Sequence, residues 1–383
     1  MDGLLSEKHG IVRRAVRAFC DREIRPIARD LDIEARFPWD VVEKMGKLGY
    51  FGIQVPEELG GAGMDTISYA IVIEEISRAC AGLGLCVTVH NSVGVYPIIA
   101  FGNEGQKRRY VPPLAKGEKI GAFCLTEPNV GSDASGVEST AIRDGDHYIV
   151  NANKVLLTNG GVADTCLIFV KTGDSGGGRS RLSVIIVERG TLGFEVGDLE
   201  DLSGNRANPV SSIRLYDCRV PAENLLGGEG QGMKIGLAAL DAGRIGIGAQ
   251  ALGIAQAAME EGIRYSKQRR QFGVPISQHQ AIQTMIADMA TQVDASRLLI
   301  YRAAAVRDSG RPFAKEAAMA KLFASETASR VTDMAVQIHG GYGYSKAYPV
   351  ERFYRDARIT RIYEGTSEIH RIVIARSVME EYK

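Results

Sequence analysis

The segment from Met233 to Gln268, MKIGLAALDAGRIGIGAQALGIAQAAMEEGIRYSKQ, is rich in Ala and Gly and apolar on more than one face at helical spacing. A helix without a clear polar side cannot rest on a surface. It has to be enclosed in a bundle or pressed into a subunit interface. The rest of the chain supplies the enclosure. Helical periodicity holds from about residue 229 to the end. It also dominates residues 5 to about 118, where Ile11, Val12, Ala15, Val16, Phe19 and Cys20 mark one helix face and TISYAIVIEEISRACAGL carries another. Between roughly 119 and 225 the texture changes. HYIVNANKVLLT, TCLIFVKT, RLSVIIVE and SSIRLYDCRV are short, rich in Val, Ile, Thr and Tyr, and separated by turn formers. These read as a small antiparallel β domain, with GDSGGGRS as an exposed hairpin loop. The layout is helical (1–118), β (119–228), helical (229–383), with no internal repeat.

Lys plus Arg and Asp plus Glu both total 46 in 383 residues, so the net charge is zero. That argues against non-specific nucleic-acid or anionic-membrane binding. Apolar runs are broken by Gly, Asn or charge before membrane-spanning length, and no membrane insertion is expected. The start MDGLLSEKHGIVRRAVRAFC carries Asp2 and Glu7 and reads as a first helix, not an address. Six cysteines form no CxxC pair and six histidines are scattered, which points to buried free thiols in a reducing compartment and no metal site.

Several short stretches have chemistry open to them. In RIYEGTSEIHR, Glu364 is either a base or an acid near the N-terminus of the last helix, where Thr366 and Ser367 are N-cap candidates. GAFCLTEPNVGSDASG (121–136) offers backbone N–H groups and hydroxyls to a phosphate or a heteroaromatic edge, or is a solvated turn. In KVLLTNGG, Thr158 either bonds a ring nitrogen or caps a turn. Asp241 and Arg244 are an ion pair on one helix face or the mouth of a pocket. Arg269 beside Phe272 in KQRRQFG, followed by Gln280, either grips a pyrophosphate or ends a helix. QIHGGYGY closes a helix as an αL cap would, or lets a nucleotide approach the backbone. GGEGQG (227–232) does not fit G-x-G-x-x-G and reads as a linker.

In order along the chain, LTEPNVGSD, LTNGG, VPAENLLGGEGQG, LDAGRIGIGAQALGIAQ, QRRQFG, AVQIHGGYGY, PVERFYRDARI and IYEGTSEIHR closely resemble the acyl-CoA dehydrogenase family over essentially the whole chain. The resemblance implies a mixed, mostly α fold: an N-terminal helical domain, a middle β-barrel and a C-terminal four-helix bundle. It further implies a homotetramer carrying FAD, acyl-CoA as substrate and electron-transferring flavoprotein as oxidant. The location would be the bacterial cytoplasm or the mitochondrial matrix.

Carried over residue by residue, the resemblance makes Phe123 to Ser132 a flavin segment, with Leu125 and Thr126 near the ring and Gly131 and Ser132 near phosphate or pantetheine. Thr158 matches the hydroxyl that bonds flavin N5. Arg269, Phe272 and Gln280 would hold the FAD of a neighbouring subunit, together with Gln337, Gly340 and Gly341. Thr366, Ser367 and Glu368 match the last flavin-contacting segment. Asp241 and Arg244 match positions lining the CoA thioester site, Tyr363 and Gly365 flank it, and Ser132 would also contact the substrate, near its pantetheine. Glu364 matches the family's base, which removes the α-proton while a flavin ribityl hydroxyl and its own backbone N–H polarise the carbonyl and hydride passes from the β-carbon to N5. A carboxylate beside a buried acyl chain should have a raised pKa, as a base working near neutrality needs. A minority of the family places the base one residue before the arginine of the long helix; here that residue is Gly243.

The chain departs from the family at Leu156, where Trp or Phe usually packs on the flavin, so the electron acceptor is the property most affected. It departs again at SGNRANPVSS, with Asn208 and Val210 in the usual Ser and Thr positions. Gly84 stands where glutaryl-CoA dehydrogenases have an arginine, which disfavours a dicarboxylic acyl group. Val89, Val93 and Val95 point to an apolar acyl pocket; His90, Asn91 and Tyr96 could face it or the core. The rival readings are an oxidase-like relative that passes electrons to oxygen and a non-catalytic flavin- or CoA-binding subunit.

Overall fold

The computed structural model describes residues 5–174 and 180–382, so the centre of the glycine-rich GDSGGGRS loop lies outside the described residues. The Ala/Gly-rich segment is a single helix, Gly232–Gln268, and helices Thr66–Ala79, Ala81–Val89, Gln280–Asp308 and Ala314–His339 pack around it. Its small residues set how close those neighbours come. A Cβ on Gly253 would lie 2.3 Å from the Glu74 carbonyl oxygen, so only glycine lets the two helices cross there. A shared apolar core runs from Val16 and Phe19 at the N-terminus through Ile71, Ile245 and Leu252 to Ile300 and Val331. Buried charge ties the same layers together. Arg13 donates to Glu74 (2.9 Å) and Glu75 (2.7 Å), Arg17 to Glu75 (2.8 Å), and Arg297 to Glu74 (3.1 Å). Both glutamates are almost wholly enclosed, a burial that is tolerable only because each carboxylate is paired.

The middle of the chain forms strands β1 (Gly121–Cys124), β2 (Thr140–Asp144), β3 (His147–Leu157), β4 (Thr165–Asp174), β5 (Ser180–Glu188), β6 (Phe194–Leu199) and β7 (Ser211–Pro221). They make one curled sheet in the order β1-β4-β2-β3-β7-β6, with β5 also paired to β4. The sheet is mixed, which corrects the antiparallel expectation: β1 runs parallel to β4, and β2 touches β4 in parallel at Thr140 and Lys171. Alternation along β4 separates two cores. Cys166, Ile168 and Val170 face the sheet's own interior, while Leu167 and Phe169 face Val95, Ile98, Tyr110 and Leu114.

Contrary to the expectation that every apolar run is broken short of membrane-spanning length, Ala81–Phe101 is long and apolar enough to cross a membrane by length and composition, with mean hydropathy 1.4, but 83% of that window is buried inside the protein. Its polar residues serve the core. His90 bridges the Leu114 carbonyl and the Gly121 N–H, and the Asn91 amide donates to the Tyr50 and Val87 carbonyls. Arg307 lies over the Tyr96 ring. All six cysteines are buried free thiols, as expected. The QIHGGYGY cap differs from the expected αL form: Gly340 has φ 57° and ψ −137°, a combination reserved for glycine.

Candidate active site

The last turn of the chain before its final helix holds Glu364. Helix Val350–Arg358 and a short turn at Ile359–Arg361 lead into it, and helix Ser367–Glu381 follows. Glu364 has φ 50° and Gly365 φ 96°. A left-handed glutamate is strained and persists only where its surroundings hold it. Three anchors do so here. The Tyr363 hydroxyl donates to Gln250 Oε1 on the central helix. Lys321 Nζ donates to the Gly365 carbonyl at 2.7 Å. Thr366 Oγ1 accepts from the Ile369 N–H, the N-cap foreseen from the sequence.

The strained turn aims the Glu364 carboxylate at the central helix. Both of its oxygens are buried and neither has a hydrogen-bond partner. A Cβ on Gly243 would lie 2.0 Å from Oε2, so the missing side chain at 243 is the space the carboxylate occupies. Position 243, which carries the base in a minority of the family, therefore meets the same point in space. Burial pushes the Glu364 carboxyl up to about 7, with Lys321 and Arg244 pulling the other way. Burial likewise brings the Lys321 ammonium down to about 7, with Glu364 opposing. Arg244 donates to Asp241 at 2.5 Å while its buried Nε lacks a partner. Burial raises the Asp241 carboxyl against the pull of that arginine. His370, buried with neither ring nitrogen partnered, leans on Gly365, where an added Cβ would sit 3.1 Å from its ring.

Beside this charged cluster lies a small apolar one. Leu85, Val89, Val93, Ala239 and Ile247 pack together, with Phe123 and Tyr363 against them. Val89 and Val93, two of the three valines expected to line an apolar pocket, belong to this cluster. Val95 does not; it belongs to the core beneath the sheet, because it sits at the end of the helical turn His90–Val95.

The flavin-like segment enters on the same side. Phe123 stands on β1, its ring edge-on to Phe169 at 4.6 Å, and half-buried Leu125 and Thr126 follow before exposed Gly131 and Ser132. The segment is pinned by a buried ion pair that sequence reasoning missed. Lys154 donates to Glu127 Oε1 at 2.6 Å and to the Leu125 carbonyl, and Glu127 also accepts from the Ser139 N–H and hydroxyl. Lys321 and His370 were missed as well; no local pattern marks a helical lysine or histidine as buried. Thr158 is half-buried in the turn after β3. That turn is closed by Gly160 N–H to the Leu157 carbonyl and Val162 N–H to the Asn159 carbonyl, so it needs no cap from Thr158. Leu156 precedes it at a register shift between β3 and β7, with φ 55° and an exposed side chain.

The remaining expected cofactor residues lie elsewhere in the chain. Arg269 is 25 residues from Arg244 along one helix, or roughly 37 Å at 1.5 Å per residue. Gln337, Gly340 and Gly341 share that far end, where Tyr265 stacks on His339 at 4.1 Å. Gln280 begins the helix after the Arg270–Pro275 hairpin, on whose tip Phe272 is 94% exposed. One chain does not bring this group to Glu364.

Glu364's unpartnered carboxylate, the orphan Ser367 hydroxyl at the start of the last helix, and exposed Leu156 fit a large, partly apolar cofactor that has polar edges.

The comparisons agree along the whole chain. Family models for the acyl-CoA dehydrogenase N-terminal, middle and C-terminal domains match residues 6–118, 122–218 and 230–379. The short-chain specific acyl-CoA dehydrogenase of Clostridium acetobutylicum is 46% identical over 99% of this chain and 100% of its own length. A chain solved in work on the electron transferring flavoprotein of Acidaminococcus fermentans and flavin-based electron bifurcation superposes with TM-score 0.95 at 45% identity, covering 98% of both chains. An acyl-CoA dehydrogenase complexed with FAD from Bacillus anthracis superposes with TM-score 0.92 at 35% identity over 99% of this chain and 68% of that one. On its sequence, its fold and these matches, this chain belongs to the acyl-CoA dehydrogenase family.

Proposed function

We propose that this FAD-dependent acyl-CoA dehydrogenase introduces an α,β double bond into a short acyl-CoA thioester, with Glu364 as the base. The observation that carries the assignment is the Glu364 carboxylate itself: buried, unpartnered, held by a strained turn and set beside a small apolar cluster. A thioester α-proton is a weak acid, so the base must be ionised when substrate arrives and tolerant of protonation afterwards. A carboxyl poised at about 7 meets both conditions. Lys321 and Arg244 favour its anion and burial favours the neutral acid it becomes. Tyr363 and Gly365, fixed by Gln250 and Lys321, keep the carboxylate aimed at the acyl group. Arg244 and Asp241 border the thioester, and exposed Ser132 meets the carrier beyond it.

Phe123, Leu125, Thr126, Gly131, Leu156, Thr158, Thr366 and Glu368 would hold FAD from this chain. When bound, FAD supplies the acceptor for the hydride that leaves the β-carbon. Arg269, Phe272, Gln280, Gln337, Gly340 and Gly341 would complete the site of a neighbouring copy, so the working assembly holds at least two chains; the family resemblance supports a homotetramer. Electron-transferring flavoprotein is the proposed oxidant, in line with the setting of the Acidaminococcus chain. A short acyl group is supported by the Clostridium relative and by the small size of the Leu85–Val89–Val93 cluster.

An anaerobic titration of the FAD-loaded protein with butyryl-, isovaleryl- and octanoyl-CoA tests the reading. Butyryl-CoA should bleach the flavin fastest. Failure of every thioester to bleach it would refute the assignment, and peroxide formed at the turnover rate in air would favour the oxidase reading through Leu156.

A further inference from the structure

The loop where this chain leaves the family pattern lies between the two parts of the site. Asn159, next to Thr158, is fully buried with φ 65°. Its backbone N–H donates to Asn208 Oδ1 at 3.2 Å, and its Oδ1 accepts from Asn208 Nδ2 at 2.7 Å. Its remaining amide donor reaches the Cys86 and Gly121 carbonyls. From Asn208 the backbone N–H donates to the Asn205 carbonyl at 2.9 Å. Asn205 Oδ1 accepts from Gln250 Nε2 at 3.1 Å, and Gln250 Oε1 accepts the Tyr363 hydroxyl. Asn205 is also clamped to Asp356, by its backbone N–H (2.6 Å) and its amide (3.0 Å). Gly204 fits against the same helix so closely that a Cβ would lie 2.7 Å from the Arg355 backbone. Every link in this chain of amides is buried and partnered. Such a network specifies one arrangement and loses much of its value when a single member is removed.

We propose that the 204–208 loop fixes the Thr158 turn against the Glu364 loop, and that Asn208 is the positioning residue for Thr158. The proposal rests on reading Glu364 as the base and Thr158 as a cofactor-facing hydroxyl. A two-armed amide at 208 is what the geometry requires. It satisfies the backbone N–H and the side-chain amide oxygen of Asn159 together, and Asn159 cannot turn its amide over without facing its oxygen to the Cys86 and Gly121 carbonyls. The Asn208 departure from the family's serine therefore acquires a structural reason.

The test is hydrogen–deuterium exchange and stopped-flow flavin reduction on the FAD-loaded wild type and on Asn208→Ala, Asn208→Asp and Arg206→Met. Arg206 lies in the same loop but bonds Asp32 and Asp201 instead of Asn159, so it controls for general loosening. In both Asn208 variants residues 158–163 should exchange about tenfold faster, since alanine strips the Asn159 N–H and amide oxygen of their partner and aspartate sets a carboxylate oxygen against that amide oxygen. The flavin reduction rate should fall roughly tenfold or more with substrate affinity little changed. Arg206→Met should do neither. In the wild type, peptides 158–163 and 204–210 should show equal protection. Unchanged exchange at 158–163 in the Asn208 variants, the same losses in Arg206→Met, or unequal wild-type protection would overturn the proposal. If Asn208→Ala does not fold, the equally sized Asn208→Asp and the wild-type comparison still decide. If no acyl thioester bleaches the wild-type flavin, the reading of Glu364 fails, and the exchange data still judge the bridge separately.

Discussion

Replacing Gly243 by alanine opposes two effects of known size. In the interior of a helix, alanine is better than glycine by about 1 kcal/mol, so the fold should gain. The new methyl carbon, however, would stand 2.0 Å from Glu364 Oε2 and 2.8 Å from Cδ. Restoring ordinary contact, at 3.4 Å or more, takes a displacement of about 1.4 Å. The strained turn cannot retreat as a whole, because Tyr363 and Gly365 are tied to Gln250 and Lys321. The carboxylate must therefore swing, and a misplacement of about 1 Å in a reacting group costs on the order of a hundredfold in rate. That is about 2.7 kcal/mol of barrier at 1.36 kcal/mol per tenfold. Thermal unfolding together with anaerobic stopped-flow reduction by butyryl-CoA separates the terms. The variant should keep its FAD, melt no lower than the wild type and reduce its flavin about a hundredfold more slowly. A reduction rate within threefold of wild type would show that the carboxylate does not work where it is packed.

Lys321→Met should move the acid limb of the rate–pH profile upward. The ammonium pulls Glu364's pKa down against the burial that raises it, so its loss lets the pKa rise further; an unmoved limb would remove Lys321 from the electrostatics of the base. Glu364 also makes stability depend on pH. Its folded pKa of about 7 exceeds the ordinary carboxyl value of 4.5, so the folded state holds the proton more tightly and stability drains away as pH rises through that window. Glu364→Gln should therefore be more stable than wild type at pH 8, by about 3 kcal/mol at 1.36 kcal/mol per unit. The two should converge below pH 4, and equal denaturant midpoints at pH 8 would contradict this. Far from the site, Arg13→Met leaves Glu74 and Glu75 short of a shared cation. It should cost about 3 kcal/mol in chemical denaturation; an unchanged midpoint would mean Arg17 and Arg297 suffice.

The helical, β, helical order was visible in periodicity because burial selects it residue by residue. The Gly/Ala texture of 233–268 announced an enclosed helix, and the structure encloses it on four sides. What depends on distant partners was not visible. The parallel pairing of β1 with β4 joins segments more than 40 positions apart, and no local pattern records strand direction. Lys154 and Glu127 are 27 positions apart and look like ordinary surface charges until the fold buries them together. His90 and Asn91 were ambiguous between pocket and core, and their hydrogen bonds place them in the core. Glu364 could be named from the resemblance of its motif alone. Its poise could not, since that comes from Gly243, Arg244 and Lys321 on two other helices. The same holds for Asn208, an unexplained departure in sequence that becomes intelligible only beside Asn159.

The direct measurement is flavin absorbance after anaerobic mixing of butyryl-CoA with FAD-loaded wild type and Glu364→Gln. The wild type should bleach, while the variant stays yellow with its cofactor bound. Bleaching of Glu364→Gln at the wild-type rate would contradict the assignment of Glu364 as the proton acceptor.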